Sequence, residues 1–101
     1  MAVTQNYLDK LLRAVRIRNA NGEIRTEVCD LCEEARLDLE MLGVLPEKAR
    51  DEADPLILGA VRSFVRWKMA ADEKEAQYNM QDYLLQRDEM RRRSAYTNEN
   101  G

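Results

Sequence analysis

Apolar residues along the chain recur at steps of three and four, which is the spacing of one face of an α-helix. The pattern predicts an all-α fold, a small bundle of about four helices. The predicted helices span approximately residues 5–17, 24–42, 55–70 and 73–92. We therefore expect a single helical domain over residues 1–93, followed by a polar, flexible C-terminal tail over residues 94–101.

Turn-forming and capping residues mark the ends of these helices. The strongest turn signal is Asn19-Ala20-Asn21-Gly22, between the first and second helices. Gly43 is placed to end the second helix, with Pro46 three residues later to prevent its continuation. Asp54-Pro55 is typical of a helix start, because Asp is a good N-cap and Pro is favoured at the first helical position.

Two boundaries stay open at this point. Residues 44–53 form a connector with room for a short helical turn after Pro46. Polar residues near 70–72 favour a break before the last helix, although one long helix from Pro55 also fits the pattern.

The second and third helices have the clearest apolar faces. Apolar residues of the second helix recur over nearly twenty residues, at Ile24, Val28, Leu31, Cys32, Ala35, Leu39 and Leu42. The third helix has the widest apolar face and is predicted to be the most buried, with Trp67 lying off its stripe.

Charge is abundant but nearly balanced, with 16 basic and 19 acidic residues and a net charge of −3. The signs are grouped: residues 1–25 hold five basic and two acidic residues, and residues 26–55 hold ten acidic and three basic ones. Residues 56–70 are purely basic, residues 71–90 mainly acidic, and the last eleven residues mainly basic. Two interpretations remain: solvated faces that pair within one chain, or opposite patches that meet between copies.

Length and composition narrow the class of protein. A chain of 101 residues has room for one domain and little core, so oligomerisation is a common source of added stability. No apolar run approaches the roughly 18 residues of a membrane span, and with no secretory signal visible we expect an intracellular protein. The isoelectric point of about 5.0 argues against a domain that is basic overall.

Cys29-x-x-Cys32 is the one motif with reactive chemistry. A zinc site usually takes four Cys or His ligands, and the chain has two Cys and no His. The pair lies inside a predicted helix beside carboxylates, which raise a thiol pKa rather than lower it. We therefore predict Cys32 to be a core residue and Cys29 a half-buried neighbour, with metal bridging between subunits as the alternative.

Catalysis is not favoured by the remaining residues. Without His the commonest general base is missing, and no phosphate-binding loop or serine elbow is present in the sequence. We predict a protein that is not an enzyme and uses no cofactor and no metal. Trp67 and Tyr78 stand off the predicted core, as edge packing or as interface anchors.

Several segments together resemble a known family. They are Arg36-Leu37-Asp38-Leu39 leading to Leu42-Gly43-Val44, then Asp54-Pro55-Leu56-Ile57 with Ala60 and Val61, and finally Tyr83-Leu84. In this order the chain is similar to the head–tail connector proteins of tailed bacteriophages and prophages, also described as head-completion adaptor or DNA-packaging proteins.

The resemblance implies a structural subunit of a homo-oligomeric ring, dodecameric in the virion. The ring would dock under the portal protein, extend the DNA channel and offer a platform for a stopper or tail-completion protein. Its location would be the head–tail interface, and the host bacterial cytoplasm during assembly. DNA would pass without sequence-specific binding, and no membrane is involved.

The resemblance and the charge pattern together suggest two sets of contact residues. Contact with the portal, implied by the family's C-terminal helix and tail, would use Tyr83, Arg87, Arg91, Arg92, Arg93 and Tyr96. The subunit interface or channel face would use Glu27, Asp30, Glu34, Asp38, Arg62, Arg66 and Trp67. An acidic channel wall would repel phosphates and let DNA slide.

Two other functions remain as alternatives. The first is a small DNA-associated packaging or regulatory protein, which would bind nucleic acid through Arg13, Arg16 and Arg18 and through residues 91–93. The second is a dithiol or metal-binding helical module built on Cys29 and Cys32.

Overall fold

The computed structural model describes residues 3–97, and within that range the chain forms six helices and no strand. The helices are α1 (Gln5–Ala14), α2 (Gly22–Leu42), α3 (Pro46–Ala49), α4 (Pro55–Lys68), α5 (Glu73–Arg91) and α6 (Ser94–Thr97). Four of them correspond to the four predicted helices, so the predicted small all-α bundle is confirmed.

Helix α1 ends earlier than predicted. It starts as expected, because the Thr4 side chain accepts a hydrogen bond from the Tyr7 N–H. It ends at Ala14 because Arg16 has a φ of 60°, and the Ile17 N–H then bonds back to the Leu12 carbonyl at 3.0 Å. A left-handed residue that closes a helix in this way is usually Gly, so an arginine gave no signal in the sequence.

Helix α2 begins two residues before its predicted start and ends where predicted. The Asn21 side chain accepts from the Ile24 N–H at 2.9 Å and caps the first turn. Gly43 has a φ of 117°, and its N–H bonds to carbonyls of the last turn. A glycine adopts this left-handed conformation without the strain that a Cβ introduces.

The structure settles the two helix boundaries that the sequence leaves open, in the connector and before the last long helix. Residues 46–49 form the short helix α3 within the connector. Asp54 Oδ1 accepts from the N–H groups of Leu56 and Ile57, at 2.9 and 3.2 Å, and caps α4. Helices α4 and α5 are separate, because Asp72 caps α5 by accepting from the Glu75 N–H at 2.8 Å.

Helix α4 lies at the centre of the bundle, in contact with α1, α2 and α5. Its buried residues are Ile57, Ala60, Val61, Ser63, Phe64 and Val65. Burial of so much apolar surface is the main favourable contribution to folding. The prediction that this helix is the most buried is confirmed.

Helix α5 packs along α4 through an aromatic contact and a polar one. The rings of Phe64 and Tyr83 meet edge to face with centroids 5.1 Å apart. Ser63 donates to Asp82 at 2.7 Å, and Gln86 donates to both of them. The hydrogen bonds fix one register of α5 on α4, because a shifted helix would leave these groups unpaired.

The predicted flexible tail begins with an ordered segment. The Leu45 N–H donates to the Tyr96 carbonyl at 2.7 Å, and the Tyr96 hydroxyl donates to Asp54 Oδ2 at 2.7 Å. Helix α6 is thereby attached to the connector and to the start of α4. Residues 98–101 of the predicted tail lie outside the described residues.

Candidate interaction surfaces

A groove of about 460 Å³ lies between α5 and the C-terminal end of α2. Its lining residues are Leu42, Gln81, Leu84, Leu85, Arg87, Asp88 and Arg91. An apolar floor with charged residues around it is the arrangement that protein interfaces use.

Leucines of α5 and large apolar side chains of α2 are exposed to solvent, and the leucines of α5 line the groove. The exposed fraction is 71% for Leu85 and 37% for Leu84 on α5. On α2, outside the residues that line the groove, it is 87% for Met41 and 51% for Leu37. Grouped exposure of this kind marks a contact surface, whereas single exposed leucines are common on any protein.

Helix α5 has this surface because its apolar residues lie on two faces. Tyr83 and Met90 face the core and are 1% exposed. Leu84 and Leu85 follow directly in sequence and, at 100° per residue, turn away from α4. The apolar side chains of α5 therefore exceed what packing on α4 requires.

The outer face of α2 changes character along its length. Along this face the exposed residues are the acidic Glu27, Asp30 and Glu34, followed by the apolar Leu37 and Met41. We call these five residues the α2 stripe. Within residues 3–97 the three carboxylates of the stripe form no ion pair, so they are available to a partner.

Glu33 and Glu40 of α2 form ion pairs inside the chain. Arg50 binds Glu33 at 2.9 Å and Glu40 at 2.8 Å. The hydrogen bond with Glu33 raises the pKa of Arg50, and the bond with Glu40 adds to it. Glu33 and Glu40 thus lie on a paired side of α2, whereas the carboxylates of the α2 stripe face outward.

Arg36, in the same helix, lies in the core. Its side chain is 1% exposed and contacts Glu33 at 3.5 Å and Glu52 at 3.2 Å. Its guanidinium lies 5.4 Å from the centre of the Tyr7 ring. Arg36 was not predicted to be buried, although its position four residues after Cys32 places it beside the apolar face of α2.

Glu52 connects this buried arginine to the N-terminus of α1. Burial acts to raise the pKa of Glu52, but hydrogen bonds from Thr4 and Arg36 outweigh it and lower the pKa below its usual value. The Thr4 backbone N–H donates to Glu52 at 3.0 Å, and the Thr4 hydroxyl also donates to it.

Tyr83, predicted to contact a partner, is enclosed in the core. Its hydroxyl donates to Asp38 at 2.6 Å, and Arg87 binds the same carboxylate at 3.0 Å. Burial, together with the hydrogen bond to Asp38, raises the pKa of Tyr83. Tyr83 and Arg87 therefore hold Asp38 across the α2–α5 gap, and Tyr83 is not available for direct contact.

The basic residues at the end of α5 differ in whether they form ion pairs within the chain. Arg92 binds Asp88 at 2.7 Å and Arg93 binds Glu89 at 3.0 Å, each one helical turn away. Tyr96 is docked on Asp54, where burial and that hydrogen bond raise its pKa to about 12. Arg91 is exposed at the groove and forms no ion pair within residues 3–97.

The second predicted set is brought together only in part. A depression of about 230 Å³ is lined by Glu34, Asp38 and Trp67. Trp67 is half-buried, with its ring edge to face with that of Phe64 at 5.5 Å. Glu27 and Asp30 lie further along α2 and do not line this depression.

The two arginines of that set lie elsewhere on α4. Arg66 donates to the Ala14 carbonyl at 3.1 Å and lines a separate cleft with Arg16 and Tyr78. Arg62 is half-buried and lines neither this cleft nor the depression.

The two cysteines are placed as predicted, Cys32 buried and Cys29 half-buried. Burial raises the pKa of the Cys32 thiol to about 12, which keeps it protonated and unreactive near neutral pH. Between residues 3 and 97 no three Cys, Asp or Glu side chains are grouped so as to hold a metal ion. No helix in that range has the length and apolar character needed to cross a membrane.

Comparison with protein-family models, with curated proteins and with solved structures finds no match to this chain.

Proposed function

We propose that the chain is a structural subunit of a phage head–tail connector ring. In this role it docks under the portal, extends the DNA channel and carries a stopper or tail-completion protein. The protein contributes surfaces and positions partners, and it performs no chemistry of its own.

The observation that carries the proposal is the exposed apolar groove of α5 together with the α2 stripe. The bundle already encloses a core around α4, so these leucines and Met41 are not needed to complete it. Burial of such side chains against another chain is favourable by about 1.5–3 kcal/mol each. A protein whose surface is built for neighbours fits an assembly subunit.

The resemblance stated from the sequence supports the same proposal. The segments that carry it coincide with structural boundaries, Gly43 with the left-handed end of α2 and Asp54-Pro55 with the capped start of α4. The third segment, Tyr83-Leu84, is where α5 turns from core to groove.

The test uses heads of the phage or prophage that encodes the chain. Electron microscopy of purified protein mixed with portal-bearing heads should show an added ring below the portal. Particles assembled without the gene should lose DNA or fail to join tails. Normal DNA retention and tail joining in its absence would overturn the proposal.

A second candidate, a DNA-associated protein, has one observation in its favour. Arg13, Arg16 and Arg18 are exposed and form no ion pair within residues 3–97. Binding of the monomer to DNA that weakens steeply with salt, and that is lost in an Arg13→Ala/Arg16→Ala/Arg18→Ala variant, would favour this function. Arg92 and Arg93 contribute less, because Asp88 and Glu89 already pair with them.

A further inference from the structure

We infer that neighbouring copies join head to tail, with the α2 stripe of one copy seated in the α5 groove of the next. This inference rests on the self-assembly part of the proposed function and specifies which surfaces meet. The partner of the groove is therefore a second copy of this chain.

Charge is the first argument for this occupant. Arg91 lines the groove and forms no ion pair within the described range. Glu34 and Asp30 are exposed carboxylates that also form no ion pair within that range. The contact therefore brings a free cation of one copy to a free carboxylate of its neighbour, as complementary interfaces do.

The other charges near the groove are already neutralised within the chain. Asp88 is bound by Arg92 at 2.7 Å, and Arg87 is bound by Asp38 at 3.0 Å. Lys68, which shares the depression with Glu34, lies 4.1 Å from the centre of the Trp67 ring and forms no ion pair within residues 3–97. Apart from Lys68, whose ammonium group lies over the Trp67 ring, the charges around the pairing of Glu34 with Arg91 thus already have partners in their own chain.

Spacing along the two helices is the second argument. Leu84 and Arg91 are seven residues apart on α5, and Glu34 and Met41 are seven residues apart on α2. Seven residues correspond to about 10.5 Å of helix, and the two residues of each pair therefore lie on the same face of their helix. With the helices antiparallel, Met41 reaches Leu84 while Glu34 reaches Arg91, and Leu37 covers the space between.

The symmetry of such a contact fits a ring. The stripe and the groove of one copy share no residue, so a pair of joined copies still has one stripe and one groove unoccupied. A heterologous contact of this type closes into a ring when the rotation between copies allows it.

Charge reversal at the two positions tests the inference. Glu34→Arg and Arg91→Glu each place like charges across the contact, and each should lower the apparent association constant about tenfold or more. Both residues are exposed, so circular dichroism and thermal unfolding should match the wild type. Sedimentation velocity over a range of protein concentrations measures the mass of the assemblies that each variant forms.

Rescue is the decisive measurement. The double variant E34R/R91E should assemble again, because every contact regains an opposite pair. An equimolar mixture of E34R and R91E chains should also assemble, with the two variants alternating around the ring. Matched controls are Glu47→Arg on α3 and Arg13→Glu on α1, exposed residues outside both surfaces, and neither should alter association.

The two proposals fail in different ways. If wild-type chains form rings that neither charge reversal affects, or that the double variant does not restore, the α2–α5 contact is wrong and the ring function stands. If the wild type stays monomeric at high concentration and adds no ring to portal-bearing heads, the ring function itself is wrong.

Discussion

At the scale of single residues, Arg36 is the clearest case of a charge used for structure. It is 1% exposed, and its contacts with Glu33, Glu52 and the Tyr7 ring join α2 to the connector and to α1. A buried charge is tolerated only when it is paired and hydrogen-bonded, so removal of a partner costs more than the pair itself contributes.

Replacement of Glu52 by Gln should therefore destabilise the fold. The variant loses the ion pair to Arg36 and weakens the hydrogen bonds from Thr4, and we expect the free energy of unfolding at pH 7 to fall by about 1–3 kcal/mol. Urea denaturation measures this change. Glu47→Gln on the exposed side of α3 is the control and should stay within about 0.5 kcal/mol.

The same residue predicts a dependence on pH. The pKa of Glu52 is lower in the folded chain than in the unfolded one, so its contribution is complete above the unfolded pKa and is lost as pH falls. The stability gap between wild type and the Gln variant should narrow between about pH 5 and about pH 3. A gap that is independent of pH would contradict this account.

At the scale of elements, α6 is short and polar but is held by specific bonds. Four residues are too few to form a stable helix alone, so its order comes from the Leu45–Tyr96 and Tyr96–Asp54 hydrogen bonds. Asp54 thus has two roles, since Oδ1 caps α4 and Oδ2 accepts from Tyr96.

A chain ending at Arg93 tests this attachment. Without α6 the Leu45 N–H loses its acceptor, and its hydrogen exchange should become about tenfold faster. The Val44 N–H is the internal control, because it donates to the Leu39 carbonyl at 3.0 Å and should keep its protection. Unchanged exchange at Leu45 would show that the tail does not dock there in solution.

At the scale of the whole molecule, the bundle is elongated, with extents of 45 × 30 × 19 Å. The core gathers around α4, while the α5 groove and the α2 stripe lie outside it. In the proposed ring, the residues that join copies therefore differ from those that stabilise the monomer, and substitutions can separate the two effects.

Replacement of Leu85 by Lys should affect assembly alone. Its side chain is 71% exposed, so the free energy of unfolding of the monomer should change by less than about 0.5 kcal/mol. Self-association should weaken about tenfold or more, since burial of a leucine against a neighbour is lost. Tyr78→Lys is the matched control, because Tyr78 is 72% exposed on the same helix but does not line the groove. Equal association of the Leu85→Lys variant and the wild type would exclude this groove as the interface.

The sequence by itself determined the fold class, the four long helices, the Asp54-Pro55 start, the Gly43 end and the burial of Cys32. These features depend on local periodicity and on capping groups within a few residues, which are visible in a linear pattern. The early end of α1 was not predictable in this way, because the left-handed turn at Arg16 lacks the glycine that normally marks it.

Only the tertiary structure decided which charges are used internally and which face outward. Glu33 and Glu34 are adjacent in sequence, yet Glu33 is bound by Arg36 and Arg50 while Glu34 lies on the α2 stripe. The same holds for Tyr83 and Leu84, one in the core and the other at the groove. Arg50, which binds Glu33, and Asp38, which accepts from Tyr83, come from distant segments, and only the packing of the helices brings those segments within bonding distance.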